Sequence, residues 1–198
     1  MKILGINTSP RKGQTTRFAL EKALESAREF GGDIQTEIIE LGGMDIKCCT
    51  GCNRCSKALD CQVNDDFLSL LPKLTDEDVA GVIIGTPVYM GTMTGLCKDF
   101  LDRCVMLRRN GRIWQDKVGG VVAVGAARNG GQELTIQAVQ AALMVQNMVI
   151  VSDGPGYCHF GATMWSGGPD GIENDEFGLK TVTALGTRVA QVAAKMNS

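Results

Sequence analysis

The sequence predicts an α/β protein with a doubly wound, five-stranded parallel sheet and helices on both faces. Three observations lead to this class. Apolar runs of strand length alternate along the chain with stretches in which apolar residues recur at helical spacing. Two of the runs, VAGVIIG and VGGVVAVG, contain no polar side chain, which is typical of strands buried on both faces. The connections are short crossovers, which favour right-handed, parallel pairing.

Five segments are predicted as strands. The first ends in the turn-rich TSPRKG, the second alternates between apolar and polar residues, the third and fourth are the fully apolar runs, and the fifth is short. In chain order they are residues Lys2–Asn7, 34–41, 79–85, Val118–Gly125 and 148–152. Ligands bind beyond the carboxyl ends of strands in such sheets, so we expect the loops after strands one, three and four to form the site.

Five helices are predicted from apolar residues that recur three or four positions apart. Their apolar positions are Leu20, Leu24, Ala27 and Phe30; the segment Phe67–Leu74; Met93, Leu96, Phe100, Cys104 and Leu107; Ile136, Val139 and Leu143; and Val182, Leu185, Val189, Val192 and Met196. The last stripe is the clearest and predicts a helix at the carboxy terminus.

Composition and charge limit the function. The chain has 198 residues, of which 44% are hydrophobic, enough for one domain with a full core over residues 1–198. The 20 basic and 22 acidic residues are scattered, so neither a nucleic-acid partner nor a membrane surface is predicted. No signal peptide or membrane-spanning apolar run is visible, and we expect a cytoplasmic protein whose thiols stay reduced.

The loop after the first strand, TSPRKGQTT at residues 8–16, combines groups that bind a phosphate monoester. Hydroxyls, an amide and a guanidinium occur where a helix begins, and the backbone N–H groups of a helix amino terminus also bind anions. The predicted contacts are Ser9, Arg11, Gln14, Thr15 and Thr16. The alternative interpretation is an ordinary N-cap and turn.

The loops after the third and fourth strands, within residues 86–103 and 125–133, suit a planar aromatic ring. The first contains a rigid proline, flat or soft apolar side chains and a glycine that allows close approach. The second combines adjacent glycines with polar groups for a ring edge, although it could be only a long turn. The predicted ring contacts are Pro87, Val88, Tyr89, Met90, Gly91, Ala126, Arg128, Asn129 and Gly130.

A phosphate at one loop and a flat ring at the next two describe flavin mononucleotide (FMN). At these motifs the sequence resembles NADPH-dependent FMN reductases. SPRKGQTT is similar to their phosphate loop, usually SPRKGSNT, and TPVYMGTMTG with the following KDFLDR resembles their ring-binding loop and helix. The resemblance covers nearly the whole chain and implies a flavodoxin-like fold. Gln14 and Thr15 stand where the family usually has Ser and Asn.

The stretch CCTGCNRCSKALDC, residues 48–61, contains five of the eight cysteines. Cys49, Cys52 and Cys55 have the two-residue gaps of bacterial ferredoxins, in which such cysteines bind one face of a [4Fe-4S] cluster, and Cys61 would reach the fourth iron. Four cysteines could instead bind zinc or remain bare thiols, although zinc ligands usually form two separated pairs. Cys48 is interpreted as a packed or spare thiol.

Together with ARNGGQE, this cysteine motif resembles the iron–sulfur flavoproteins of anaerobes, which are the closer family. The resemblance implies FMN and a [4Fe-4S] cluster, the latter held by a loop at residues 44–64. It also implies a homodimer or homotetramer in which the cluster of one subunit approaches the flavin of another.

The function predicted first is electron transfer from a reduced donor, ferredoxin or NAD(P)H, through FMN and the cluster to a small-molecule or protein acceptor. The alternatives are a cluster-free NAD(P)H-dependent FMN or quinone reductase and a non-catalytic sensor that binds flavin or metal. No residue is required as a general acid or base. Cys97 and Cys104 are interpreted as core thiols, and Cys158 and His159 as loop residues with a proton-relay role as the alternative.

Overall fold

Six parallel strands occupy five positions in the sheet of the computed structural model, which describes residues 1–197. The strands are β1 (Lys2–Asn7), β2 (Gln35–Glu40), β3 (Val79–Pro87), β4 (Val118–Gly125), β5 (Val149–Ile150) and β6 (Ala162–Trp165). Their order is β2-β1-β3-β4-β5, and β6 pairs with β4 on the same edge as β5. All pairs are parallel, and the predicted flavodoxin-like class is confirmed.

Helices cover both faces of this sheet, as predicted. They are α1 (Thr15–Glu29), α2 (Phe67–Leu74), α3 (Gly95–Arg103), α4 (Val105–Arg109), α5 (Gln132–Val145) and α6 (Glu176–Met196). α1 and α6 pack with Ile3 and Ile83 on one face, whereas the other four helices pack with Leu4 and Ile84 on the opposite face. Neighbouring strand residues point to opposite faces, so each buried strand contributes to both cores.

The fifth sheet position is divided between two short strands. β5 pairs only with Val118 and Gly119, and β6 pairs with the later segment 122–125 of β4. The predicted strand 148–152 is therefore shorter than expected, and β6 was not predicted. Four residues between glycine-rich segments carry too little periodicity to identify a strand, and their pairing partner lies about forty positions away.

The helical stripe predicted from Met93 to Leu107 forms two helices instead of one. α3 ends at Arg103, Cys104 is the junction, and α4 follows. The carbonyl of Cys104 accepts a hydrogen bond from the Gln146 side-chain amide at 3.1 Å. This bond comes from a residue distant in sequence, so helical spacing could not indicate the break. In the described part of the chain, no helix is both long and apolar enough to cross a membrane.

Candidate functional site

The three predicted ligand loops meet at the carboxyl edge of the sheet. The Thr94 hydroxyl, just before α3, donates to the carbonyl of Thr8 at 2.9 Å and so joins the β3 and β1 loops. The β4 loop approaches the β3 loop closely. A Cβ atom added at Gly131 would lie only 3.2 Å from the Cα of Gly91. The structure therefore brings together the segments that sequence analysis assigned to phosphate and ring.

The β1 loop presents an uncapped helix amino terminus. Gln14 is the N-cap of α1 but makes no side-chain capping bond, and the first turn contains no acidic residue. Ser9 is buried, and its hydroxyl accepts from the Arg11 N–H at 3.2 Å. The Thr16 hydroxyl is also buried and has no hydrogen-bond partner within residues 1–197. An unpaired buried donor beside free helix N–H groups fits a phosphate, which supplies acceptor oxygens to both.

The β3 loop is a tight two-residue hairpin that exposes the predicted ring-binding side chains. Tyr89 and Thr92 exchange backbone hydrogen bonds of 2.9 and 3.1 Å, and Met90 and Gly91 between them both have positive φ. This turn type requires left-handed backbone at both central residues, which explains the glycine. Tyr89 and Met90 are exposed, whereas Pro87 is buried as the last residue of β3. The loop therefore offers apolar surface on a fixed backbone.

In the β4 loop, Ala126, Asn129 and Gly130 are exposed. Arg128, in contrast, already contacts two other side chains of the chain. Its guanidinium pairs with the carboxylate of Asp175 and lies over the ring of Trp165, 5.1 Å from the centroid. Burial raises the pKa of Asp175, but hydrogen bonds from Arg128 and backbone N–H groups outweigh burial and hold it below its usual value. Sequence analysis missed Asp175, which lies forty-seven positions from Arg128 and carries no motif.

The four predicted cluster ligands line one small cavity. Cys49, Cys52, Cys55 and Cys61 border it together with Arg103 and Arg109. Cys55 is buried, Cys61 is half-buried, and the other two are exposed. Within residues 1–197, no group of three or more His, Cys, Asp or Glu side chains has the arrangement of a metal site. The structure therefore gathers the cysteines without arranging them around one ion, and the cluster stays a prediction.

The chemistry around this cavity fits an anionic group. Arg103 is buried, and its Nε has no hydrogen-bond partner in the described part of the chain. Arg109 donates from Nη1 to the Cys55 sulfur at 3.2 Å. The backbone N–H of Arg54, assisted by the Thr50 hydroxyl, lowers the pKa of Cys52. A cavity bordered by four cysteines and two guanidinium groups suits the negative charge of a thiolate-bound iron–sulfur cluster.

A buried ion pair closes the cysteine loop at its base. Arg103 contacts both carboxylate oxygens of Asp65, at 2.6 and 3.0 Å. The same guanidinium donates to the carbonyls of Lys47 and Val63, at 3.0 and 3.3 Å. These residues flank the cysteines on both sides, so one side chain ties together the two ends of the loop. Sequence analysis did not identify this arginine.

The remaining cysteines lie apart from the cavity. Cys97 and Cys104 are fully buried in the core, as interpreted from their positions on a helical face. Burial raises the pKa of Cys97 to about 11 and raises that of Cys104 well above its usual value. Cys158 is exposed, and Nδ1 of the neighbouring His159 lies 2.9 Å from Oδ2 of Asp153. Neither Cys97 nor Cys104 lines the cavity that the four loop cysteines border.

Comparison with known proteins identifies the family. The family model for NADPH-dependent FMN reductases matches residues 1–161. The chain belongs to this family. This FMN reductase family member is 39% identical to an iron–sulfur flavoprotein of Methanocaldococcus jannaschii over 97% of both chains. It is 35% identical to an iron–sulfur flavoprotein of Methanosarcina thermophila over 97% of this chain and 95% of that one.

A solved structure supports the fold of this FMN reductase family member. The flavodoxin, WrbA-like protein from Agrobacterium tumefaciens superposes with a TM-score of 0.67 and covers 98% of both chains at 22% identity. Together, the family match and these relatives show that the chain is a flavin-dependent oxidoreductase, as predicted. The predicted resemblance to iron–sulfur flavoproteins is likewise confirmed.

Proposed function

We propose that this oxidoreductase carries electrons from a reduced donor, ferredoxin or NAD(P)H, to a small-molecule or protein acceptor through FMN and a [4Fe-4S] cluster. The observation that carries the proposal is the single cavity in which four cysteines and two arginines meet, in a chain of an FMN reductase family. FMN exchanges two electrons and a cluster exchanges one, so the pair would connect carriers of the two kinds.

The chain's own residues would bind and orient both groups. The uncapped end of α1 and the buried Thr16 hydroxyl support phosphate binding by residues Ser9, Arg11, Gln14, Thr15 and Thr16. The exposed hairpin supports ring binding by Pro87, Val88, Tyr89, Met90 and Gly91, with Ala126, Arg128, Asn129 and Gly130 on the other side. Cys49, Cys52, Cys55 and Cys61 would hold the cluster.

The assembly and cellular location belong to the same proposal. A homodimer or homotetramer would place the cluster of one subunit near the flavin of another, and Cys49, Cys52 and the hairpin tip are all exposed in the single chain. A cytoplasmic location would keep the thiols reduced and available to iron. Size-exclusion chromatography with light scattering under anaerobic conditions measures the assembly, and a strict monomer would contradict it.

Anaerobic metal analysis tests the cluster. The purified protein should contain about four irons and four acid-labile sulfides per chain. Cys61→Ser should lower both, whereas Cys48→Ser should leave both unchanged, because Cys48 does not line the cavity. Zinc in place of iron, or no metal under strict anaerobiosis, would contradict the proposal. Steady NADPH oxidation by metal-free protein with a quinone would then favour the cluster-free reductase, and a flavin that no donor reduces would favour the sensor.

A further inference from the structure

A second cavity, with a volume of about 590 Å³, is lined by α5 and by the consecutive helices α3 and α4. The proposed function makes no use of it. We propose that this cavity binds an aliphatic carboxylate, a ligand with an apolar chain and one anionic end, and that the bound ligand covers Cys49. The consequence for the cluster rests on the proposed function, whereas the binding itself does not.

The walls of this cavity are aliphatic. Leu101 of α3 and Val105 of α4 contribute to one side, and α5 contributes a stripe of residues three and four positions apart. The residues of that stripe are Ala138, Ala141, Ala142 and Val145. Alanine side chains are short and leave room for a ligand, and no aromatic ring of residues 1–197 lines the cavity. The walls therefore suit a flexible aliphatic chain better than a flat ring.

Part of this apolar surface is in contact with water in the free chain. The side chain of Val145 is 58% exposed, and Ala141 is exposed as well. A ligand chain that covers these residues removes apolar surface from water on both sides of the contact. Burial of apolar surface is therefore the first source of affinity for the proposed ligand.

The rim of the cavity carries a positive charge that the chain does not neutralise. Arg108 is exposed and makes no ion pair or side-chain hydrogen bond within residues 1–197. Lys98 is paired with Asp102 at 2.6 Å, and Arg109 donates to the Cys55 sulfur at 3.2 Å. The planar guanidinium of Arg108 can donate to both oxygens of a carboxylate, which makes it the group that selects an anionic end.

The second cavity shares a border with the cysteine cavity. Cys49 and Arg109 line both cavities, and Cys49 is exposed in the free chain. A ligand in the second cavity therefore lies against Cys49 and separates its thiol from water. With a cluster in place, the same ligand would shield one side of it from solvent.

Calorimetric titration of the anaerobically purified protein tests the ligand class with octanoate and its uncharged counterpart, 1-octanol. Octanoate should bind saturably, and 1-octanol should bind about tenfold more weakly, because it lacks the charge that pairs with Arg108. Arg108→Gln should weaken octanoate binding by about tenfold and leave 1-octanol binding unchanged. Arg112→Gln is the matched control and should change neither affinity, because Arg112 is exposed nearby in the sequence but does not line the cavity.

A second variant tests where the apolar chain lies. Ala141→Leu places a larger side chain at the cavity wall, and Ala141 is exposed, so the core of the protein is not disturbed. This variant should weaken the binding of octanoate and 1-octanol alike. Gln137→Leu adds a leucine to an exposed position of the same helix outside the cavity and should weaken neither.

Thiol labelling locates the ligand independently of activity and of iron. In metal-free protein, octanoate at ten times its dissociation constant should slow iodoacetamide labelling of Cys49 by about tenfold. Labelling of Cys48 should stay unchanged, because Cys48 is exposed but does not line the cavity. Absence of octanoate binding, equal affinities for octanoate and 1-octanol, or unchanged labelling of Cys49 would overturn the inference. Anaerobic protein that binds octanoate but contains no iron would overturn the proposed function alone.

Discussion

Asp65→Asn should destabilise the protein strongly, because this carboxylate balances a guanidinium that has almost no contact with water. The side chains of Arg103 and Asp65 are 1% and 0% exposed. Removing one partner of a buried ion pair costs about 3–5 kcal/mol, since the remaining charge stays in the interior without compensation. That loss is a large part of a typical unfolding free energy of about 5–15 kcal/mol.

Urea unfolding of the metal-free protein measures this effect. With a slope of about 2 kcal/mol per molar urea, a loss of about 4 kcal/mol lowers the midpoint by about 2 M. Asp60→Asn is the matched control, because Asp60 pairs with Arg54 in the same loop but the two side chains are 46% and 57% exposed. An exposed pair contributes less than about 1 kcal/mol. Equal midpoints for Asp65→Asn and Asp60→Asn would show that the buried pair does not support the loop.

The stabilisation by Asp65 should also depend on pH. Burial raises its pKa, but hydrogen bonds from Arg103 and from the Lys47 N–H outweigh burial and hold the pKa below its usual value. A lowered pKa in the folded state gives stability that is fully present above the unfolded value of about 4 and is lost as pH falls through the folded value. The difference in unfolding free energy between wild type and Asp65→Asn should therefore shrink in acid and stay constant from about pH 5 to pH 7.

Three other measurements test the two sites. Arg109→Gln should lower the midpoint potential of the proposed [4Fe-4S] cluster in an EPR-monitored titration, because the Arg109 guanidinium beside the Cys55 sulfur favours the more negative, reduced state. An unchanged potential would contradict this contact. Thr16→Val should weaken FMN binding by about tenfold in a fluorescence titration without destabilising the free protein, because the hydroxyl has no partner in the described chain. Iodoacetamide at pH 8 should label Cys48 but not Cys97 in the folded, metal-free protein, as read by mass spectrometry. Cys48 is exposed, whereas Cys97 is buried and its pKa is about 11. Labelling of Cys97 without unfolding would contradict its burial.

Sequence patterns within a single segment predicted correctly those helices and strands that begin and end where their own buried side chains do. The predicted segments Lys2–Asn7, Phe67–Leu74 and Val118–Gly125 have the same bounds in the structure. Each is bordered by turn residues and packs its whole apolar length into a core, so periodicity and length were sufficient. The β1 and cysteine motifs were recognisable for a similar reason, because their residues are close together in sequence.

Contacts between distant parts of the chain decided the rest. Gln146 reaches the carbonyl at the α3–α4 junction, Asp175 engages Arg128, and Arg103 closes the cysteine loop through Asp65. Each contact joins residues at least thirty-eight positions apart, and none leaves a pattern along the chain. The sequence by itself determined the parallel α/β class, the FMN reductase resemblance and the cysteine spacing. Only the tertiary structure decided which charges are paired, which buried hydroxyl within residues 1–197 is left without a partner, and how His159 is oriented by Asp153, because these depend on which side chains share a buried space.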